Sequence, residues 1–239
     1  MPNTPTEPSV GALSGLLTVM QLSDSALPTG AFSHSFGMET YLQRGLVDSP
    51  DTYAAWASGY LQQVAYTEGL AVRLSAEAAQ QDAPDDVIRI DQLLYASTIP
   101  RQIRDAGTSM GQRMNTIVEV ALPETPALAQ YREAIEHGQC HGHPAVIFAL
   151  ASAAVDVPVH EAIAAYLMQL ATSLTQNAIR AIPLGQNAGQ RVLTELRTLI
   201  PQIVDLVLQL DEHDLGASPP GLEIAQMQHE TQRARMFMS

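Results

Sequence analysis

Lysine is absent from this chain of 239 residues; all 12 basic residues are arginine. That absence removes two chemistries. No lysine can form a Schiff base with a carbonyl substrate. No Walker A lysine can reach a nucleotide's phosphates, and no Gly-rich loop of that pattern occurs. Nucleotide hydrolysis by P-loop chemistry is therefore not expected of this chain alone. Cysteine is nearly absent as well. A single Cys140 cannot form an internal disulfide, so no disulfide framework holds the fold. No apolar run reaches the roughly 20 residues that a membrane span requires. The opening residues Met1–Val10 are polar and Pro-rich and lack the basic start and apolar stretch of a signal peptide. The expectation is a cytoplasmic protein. Positive charge is scarce too. Twelve basic against 25 acidic residues leave a net charge of −13, which disfavours nucleic acid and anionic membranes as partners and suits a partner with basic patches.

Aromatics make up 5% of the residues while hydrophobic residues reach 46%. Ala and Leu dominate, a balance that favours packed helices over sheets. With no shift of composition to divide it, the chain reads as one all-α domain, a bundle of about eight or nine helices. Residues 1–13 read as a mobile, disordered leader, 14–215 as the helical core and 216–239 as a C-terminal tail. A short helix is expected over Ser14–Leu22 and another over Ser35–Arg44, stopped by Gly45. Ser49-Pro50 reads as a cap with proline at the first helical position, opening a helix to about Ala79 in which Gly59 and Gly69 are weak points. Gln81–Asp86 reads as a linker. Further helices are expected over Val87–Ser97, from Pro100 to about Val120, from Thr125-Pro126 to near Gly138, and over Pro144–Val155. Ile163, Leu167, Leu170, Leu174 and Ala178 share one helix face, and Pro183 ends that helix. Val192, Leu196, Leu199, Ile203, Leu206 and Leu210 repeat the spacing. Their stripe keeps its phase across Pro201, so a kink rather than a termination is expected there.

Four segments could carry chemistry. In Ala26–Glu39, Pro28 and Gly30 are turn residues, but a turn does not require Phe32, Ser33, His34, Ser35, Phe36 and Glu39 to follow. Side chains of Ser33, His34 and Ser35 diverge because the residues are adjacent. A serine hydrolase needs a histidine in reach and a group to orient it. His34 or His229 could serve Ser33 or Ser35 only if the fold gathered them. The alternatives are a capped turn or a docking surface anchored by Phe32 and Phe36. The segment His137–His143 holds His137, Cys140, His141 and His143, ligand types that suit Ni²⁺ or Zn²⁺. Its spacing matches no zinc-finger pattern, so a helix-connecting loop is the competing reading. Arg101, Arg104, Asp105, Arg113 and Glu119 lie on one predicted helix, where Arg101 and Asp105 can pair across a turn. A solvated helical face is the default reading of that helix, and an arginine acting in trans on a GTPase is the sharper alternative. The tail carries the apolar points Leu222, Ile224, Met227, Met236, Phe237 and Met238 among His229, Glu230, Arg233 and Arg235. Such a segment either orders on a partner's groove or docks back on its own bundle.

Three of these stretches resemble the UreF family of urease accessory proteins: Ala26–Glu39, Arg180–Arg191 with its Pro183-Leu-Gly185 turn, and Ile224–Ser239 with its His-Glu-Thr and Arg-x-Phe-x-Ser ending. Met110-Gly-Gln-Arg113 is similar to a Met-Gly-x-Arg element of the same family. The likeness covers roughly Leu16 to Ser239; Met236 stands where Leu is common. It implies an all-α protein that forms a homodimer. It also implies a complex with a UreD/UreH-type accessory protein and the UreG GTPase, which together bind apo-urease and promote nickel delivery. In that scheme the chain is a scaffold and a modulator of the GTPase, not an enzyme, and needs no cofactor; whether nickel passes through it in transit is left open. The residues the resemblance marks for partner binding are Phe32, His34, Phe36, Glu39, Arg180, Gln186, Gln190, His229, Arg233, Arg235 and Phe237. The alternative is a nickel-binding protein that uses Cys140, His141 and His143.

Overall fold

The computed structural model describes residues 10–239. Among them the chain forms α1 (Val10–Leu22), α2 (Met38–Gln43), α3 (Pro50–Val64), α4 (Leu70–Gln80), α5 (Pro84–Ser97), α6 (Arg101–Ala121), α7 (Pro126–Glu136), α8 (Pro144–Ala153), α9 (Val159–Ala181), α10 (Gln186–Gln209) and α11 (Pro220–His229), with no strand. The all-α expectation holds. A π turn at Ala65–Gly69 joins α3 to α4 in one rod. The helix expected from Pro50 to about Ala79 therefore exists, with a bulge where Gly69 weakened the pattern. Ten rods result, one more than the upper expectation, because α11 lies in the stretch read as a tail. Most of the predicted leader lies outside the described residues, but α1 begins at Val10, four residues before the expected start.

Local signals set several boundaries. Ser49 Oγ accepts from Thr52 N at 3.3 Å while Thr52 Oγ1 accepts from Ser49 N at 3.0 Å, a reciprocal cap that starts α3. Pro84, read as linker, instead occupies the first turn of α5, the place where its missing N–H costs nothing. The helix expected from Ser35 starts only at Met38. Phe36 at φ 52° and Gly37 at φ 96° are left-handed there and cannot continue a right-handed helix. α10 runs through Pro201 without ending.

α8 forms the centre. Every residue from Pro144 to Ser152 is buried, and α4, α6 and α9 pack around it. α9 and α10 form an antiparallel hairpin beside α3, turned at Gly185 with φ 65°. The stripe read from the sequence is the inner face of that hairpin: Ile163, Leu167, Leu174 and Ala178 are buried, as are Val192, Leu196 and Ile203. At one point backbone meets backbone. A Cβ on Gly111 of α6 would lie 1.7 Å from the carbonyl oxygen of Gly142. Only glycine lets α6 approach the loop that leads into α8.

Candidate functional site

The left-handed pair Phe36–Gly37 aims successive backbone N–H groups at one point. Ser35 N and Phe36 N donate to the main-chain oxygen of Ser239 at 2.5 and 3.2 Å, and Ser35 Oγ donates to the same oxygen at 2.8 Å. His34 Nδ1 and Ser239 Oγ share a hydrogen bond of 2.7 Å. Met238 N donates to Ser33 O at 2.8 Å, so the chain's last described residues lie along the signature turn. This concavity of N–H groups is a nest, the backbone's usual way of holding a partial negative charge.

Beneath it sits Glu39, on the first turn of α2 and 6% exposed. Its Oε1 accepts from Met236 N at 2.5 Å, and its Oε2 from Phe237 N at 3.0 Å. The same Oε2 pairs with His229 Nε2 at 2.9 Å, while His229 Nδ1 bonds the Gln102 amide of α6 at 2.8 Å. Phe237 is buried, and the Arg180 guanidinium lies over its ring at 5.2 Å. Arg180 also donates to Phe32 O at 3.1 Å, and Asn177 of α9 to His34 O at 2.7 Å. Further bonds seat α11 on α2: Gln226 to Phe36 O at 3.1 Å and Thr40 Oγ1 to Ala225 O at 2.7 Å. Burial, reinforced by the nearby His229, lowers the pKa of His34 below the usual imidazole value.

Three segments far apart in sequence thus form one structure. The tail is docked on its own bundle, one of the two outcomes its composition allows. The residues marked for partner binding divide accordingly. His34, Phe36, Glu39, His229 and Phe237 are buried and hold the three segments together; in this conformation they offer no surface. Phe32, Arg180, Gln186, Gln190, Arg233 and Arg235 are exposed. Phe32, Met236 and Met238 are each more than half exposed, on a chain of net charge −13. No hydrolytic set forms among the signature serines. Ser35 Oγ donates to a backbone oxygen, His229 uses both ring nitrogens, and among the described residues no carboxylate bonds His34.

The cluster at Cys140, His141 and His143 is not gathered into a ligand set. Cys140 is buried, and burial, with Asp91 nearby, pushes its thiol up to about 12, whereas metals take the thiolate. The His141 ring is stacked on Tyr95 with centroids 3.4 Å apart. His143 Nδ1 accepts from Ala145 N at 3.2 Å, capping α8, and burial lowers the pKa of this ring against the pull of Glu68 and Asp91. Among the described residues no group of three or more His, Cys, Asp or Glu could hold a metal ion. What orders this loop is Asp91 of α5, which is fully buried. It accepts from Tyr131 Oη at 2.7 Å, His141 N at 2.5 Å and His143 N at 2.8 Å. Nothing in the sequence separates Asp91 from the solvated acids around it. Asp91→Asn, which turns one acceptor oxygen into a donor facing a donor, should cost about 2 kcal/mol, read as a lower urea midpoint.

Two other features find a place. Arg101 reaches Asp105 at 3.9 Å but makes its closer pair with Glu230 at 2.9 Å, tying α6 to the end of α11. Glu68, in the π turn, lines two clefts together with Ile103 and His143, one beside α11 and one between α6 and α9. Sequence reasoning misses Glu68 because no motif marks it; the interrupted helix pattern at Gly69 is the available signal. No described helix is long and apolar enough to cross a membrane.

Comparison with known proteins shows the family. The family model described as UreF matches residues 47–197, more than half of the chain. A urease accessory protein UreF from Arthrobacter sp. (strain FB24) is 47% identical over 224 residues, covering 93% of this chain and 96% of that protein. The protein of the same name from Corynebacterium efficiens is 45% identical over 224 residues, with 93% and 96% covered. That from Bacillus sp. (strain TB-90) is 40% identical over 228 residues, with 95% and 100% covered. Identity of this extent along nearly the whole length places the chain: it belongs to the UreF family of urease accessory proteins.

Proposed function

We propose that the chain is a non-enzymatic scaffold of the cytoplasm that bridges a UreD/UreH-type protein and the UreG GTPase. In this reading it modulates the GTPase, acts as a homodimer and promotes nickel insertion into apo-urease. Nickel is cargo of the assembly, not a resident cofactor. The observation that supports the reading is the convergence of the signature turn, the end of α9 and the tail, which between them carry the exposed side chains Phe32, Met236, Met238, Arg180, Arg233 and Arg235. Exposed aromatic, methionine and arginine side chains are the types that most often anchor interfaces. The chain's lack of a Walker A lysine supports leaving P-loop nucleotide hydrolysis to a partner.

The test is co-purification after co-expression with a UreD/UreH-type protein. Phe32→Asp combined with Met236→Asp should reduce recovery of the complex by about tenfold or more, the effect of losing at least one interface hot spot. Both side chains are more than half exposed, so the thermal melt of the variant alone should not move. Undiminished assembly would assign the UreD/UreH-type partner to another face.

A further inference from the structure

Helix α1 is apolar on two opposite sides. Gly15, Val19 and Leu22, spaced four and three apart, share its inner face. Val19 and Leu22 are buried. A Cβ on Gly15 would lie 2.7 Å from the Val155 carbonyl oxygen, so the helix is seated closely on the turn between α8 and α9. On the other side Leu13, Leu16, Leu17 and Met20 repeat the same spacing, and each is more than half exposed. Leu13 and Met20 are seven residues apart with two leucines between them, the seam along which one helix packs on another. A helix apolar all round belongs in an interior, and a contiguous row of four large side chains differs from leucines scattered singly over a surface.

Charge narrows what can cover this row. α1 and the buried α8 are the only described helices without a charged residue. A basic partner would seek carboxylates and an acidic one arginines, and α1 offers neither. An anionic membrane is repelled by a chain of net charge −13. Residues 1–9 bring only Met1 and three prolines as apolar side chains, too little to cover the row. Two copies of the chain repel one another, and that repulsion is least where neither surface carries charge. An uncharged apolar row is also its own complement across a two-fold axis.

We infer that α1 is a self-association face, on which Leu13, Leu16, Leu17 and Met20 pack against the same row of a second copy. The inference rests on the homodimer of the proposed function and gives it a location. α1 meets the start of α9, where Gly15 approaches Val155 and Val157, while the signature turn meets its end, where Asn177 bonds His34. The 23 residues of α9 separate those places by roughly 30 Å. Pairing through α1 therefore leaves the signature turn and tail of both copies free for other proteins.

Sedimentation velocity of the full chain over a range of concentrations tests this. The wild type should dimerise, and Leu13→Glu combined with Leu17→Glu should weaken the dimer by about tenfold or more. Both side chains are exposed and glutamate is a good helix former, so the monomer's far-UV circular dichroism and melt should not change. Should that variant lose helicity, Leu17→Cys decides. Near the middle of the row, its thiol should be joined to that of the second copy by a short bismaleimide, whereas the wild type, whose one cysteine is buried, should not be joined. A wild type that stays monomeric would overturn the inference and the homodimer together. A dimer that persists in the double variant, or a Leu17→Cys dimer that is not joined, would overturn the α1 face and leave the homodimer standing. Loss of co-purification with a UreD/UreH-type protein while the dimer persists would give α1 to that partner and equally overturn the inference.

Discussion

Glu39→Ala should free the last residues of the chain while the central helices remain folded. The carboxylate holds three donors at once: His229 Nε2, Met236 N and Phe237 N, all within 3.0 Å. Removing a buried acceptor leaves each of its donors unsatisfied at about 1–3 kcal/mol apiece, because they have neither partner nor water. By comparison, the buried Phe237 side chain contributes about 1.5–3 kcal/mol through burial, and its contact with Arg180 about 1 kcal/mol more. The carboxylate is thus the larger anchor, and its loss exceeds what the aromatic contact can retain. The measurement is limited trypsin digestion near pH 8, where Arg233 and Arg235 become the first sites cut, followed with far-UV circular dichroism for the core helices. Glu39→Gln keeps one acceptor oxygen and should fall between wild type and Glu39→Ala. Cleavage of Glu39→Ala at the wild-type rate would mean that the tail is held from elsewhere.

Gly111→Ala should destabilise the whole bundle by about 3 kcal/mol or more, an effect at the upper end for a single methyl. Two opposing terms decide this. Alanine in a helix interior is favoured over glycine by about 1 kcal/mol. Against that, the new Cβ would meet the Gly142 carbonyl oxygen at 1.7 Å, and that oxygen belongs to backbone pinned by Asp91. Neither α6 nor the loop can retreat without breaking bonds to Asp91 or opening the packing around α8. Gly59→Ala is the matched control. Beyond its chain neighbours and the adjoining backbone of α3, nothing lies within 4 Å of the place its new methyl would occupy, so the propensity term acts alone and should stabilise by up to about 1 kcal/mol. Urea denaturation of both variants checks the pair. Equal midpoints for the two would show that α6 has room that the structure denies it.

These two glycines show how much is legible in the sequence and why. Each interrupts a helical pattern, and propensity treats them alike. Their difference is a neighbour 31 residues away from Gly111, which no local rule supplies. Periodicity is enough for α9 and α10, because their buried stripes are long and each turn of helix repeats the signal. Local chemistry is enough as well for the caps at Ser49-Pro50 and Thr125-Pro126, where a side chain bonds a backbone group three residues on. Both fail over Ser35–Gly37, where nothing but the tail's oxygen explains why a phenylalanine adopts a left-handed conformation.

The candidate site divides along the same line. Residue types in the signature turn and tail identify His34, Phe36, Glu39, His229 and Phe237 as out of the ordinary, and their resemblance to one family points to a partner surface. In the structure these five are buried where the three segments meet. For Cys140, His141 and His143 proximity along the chain suggests ligands, while the fold sends one into the core, one onto Tyr95 and one to the start of α8.

Composition, charge and periodicity by themselves determined an all-helical chain without P-loop lysine or disulfide, and three family-like segments. Those properties reside in each residue or in its neighbours a turn away. The tertiary structure alone decided that the three segments are one site, that Glu39 is its anchor, and that Phe32 and the two tail methionines are left facing outward. Such facts depend on which donors meet which acceptors across some 200 residues of chain, an outcome of packing that local sequence does not encode.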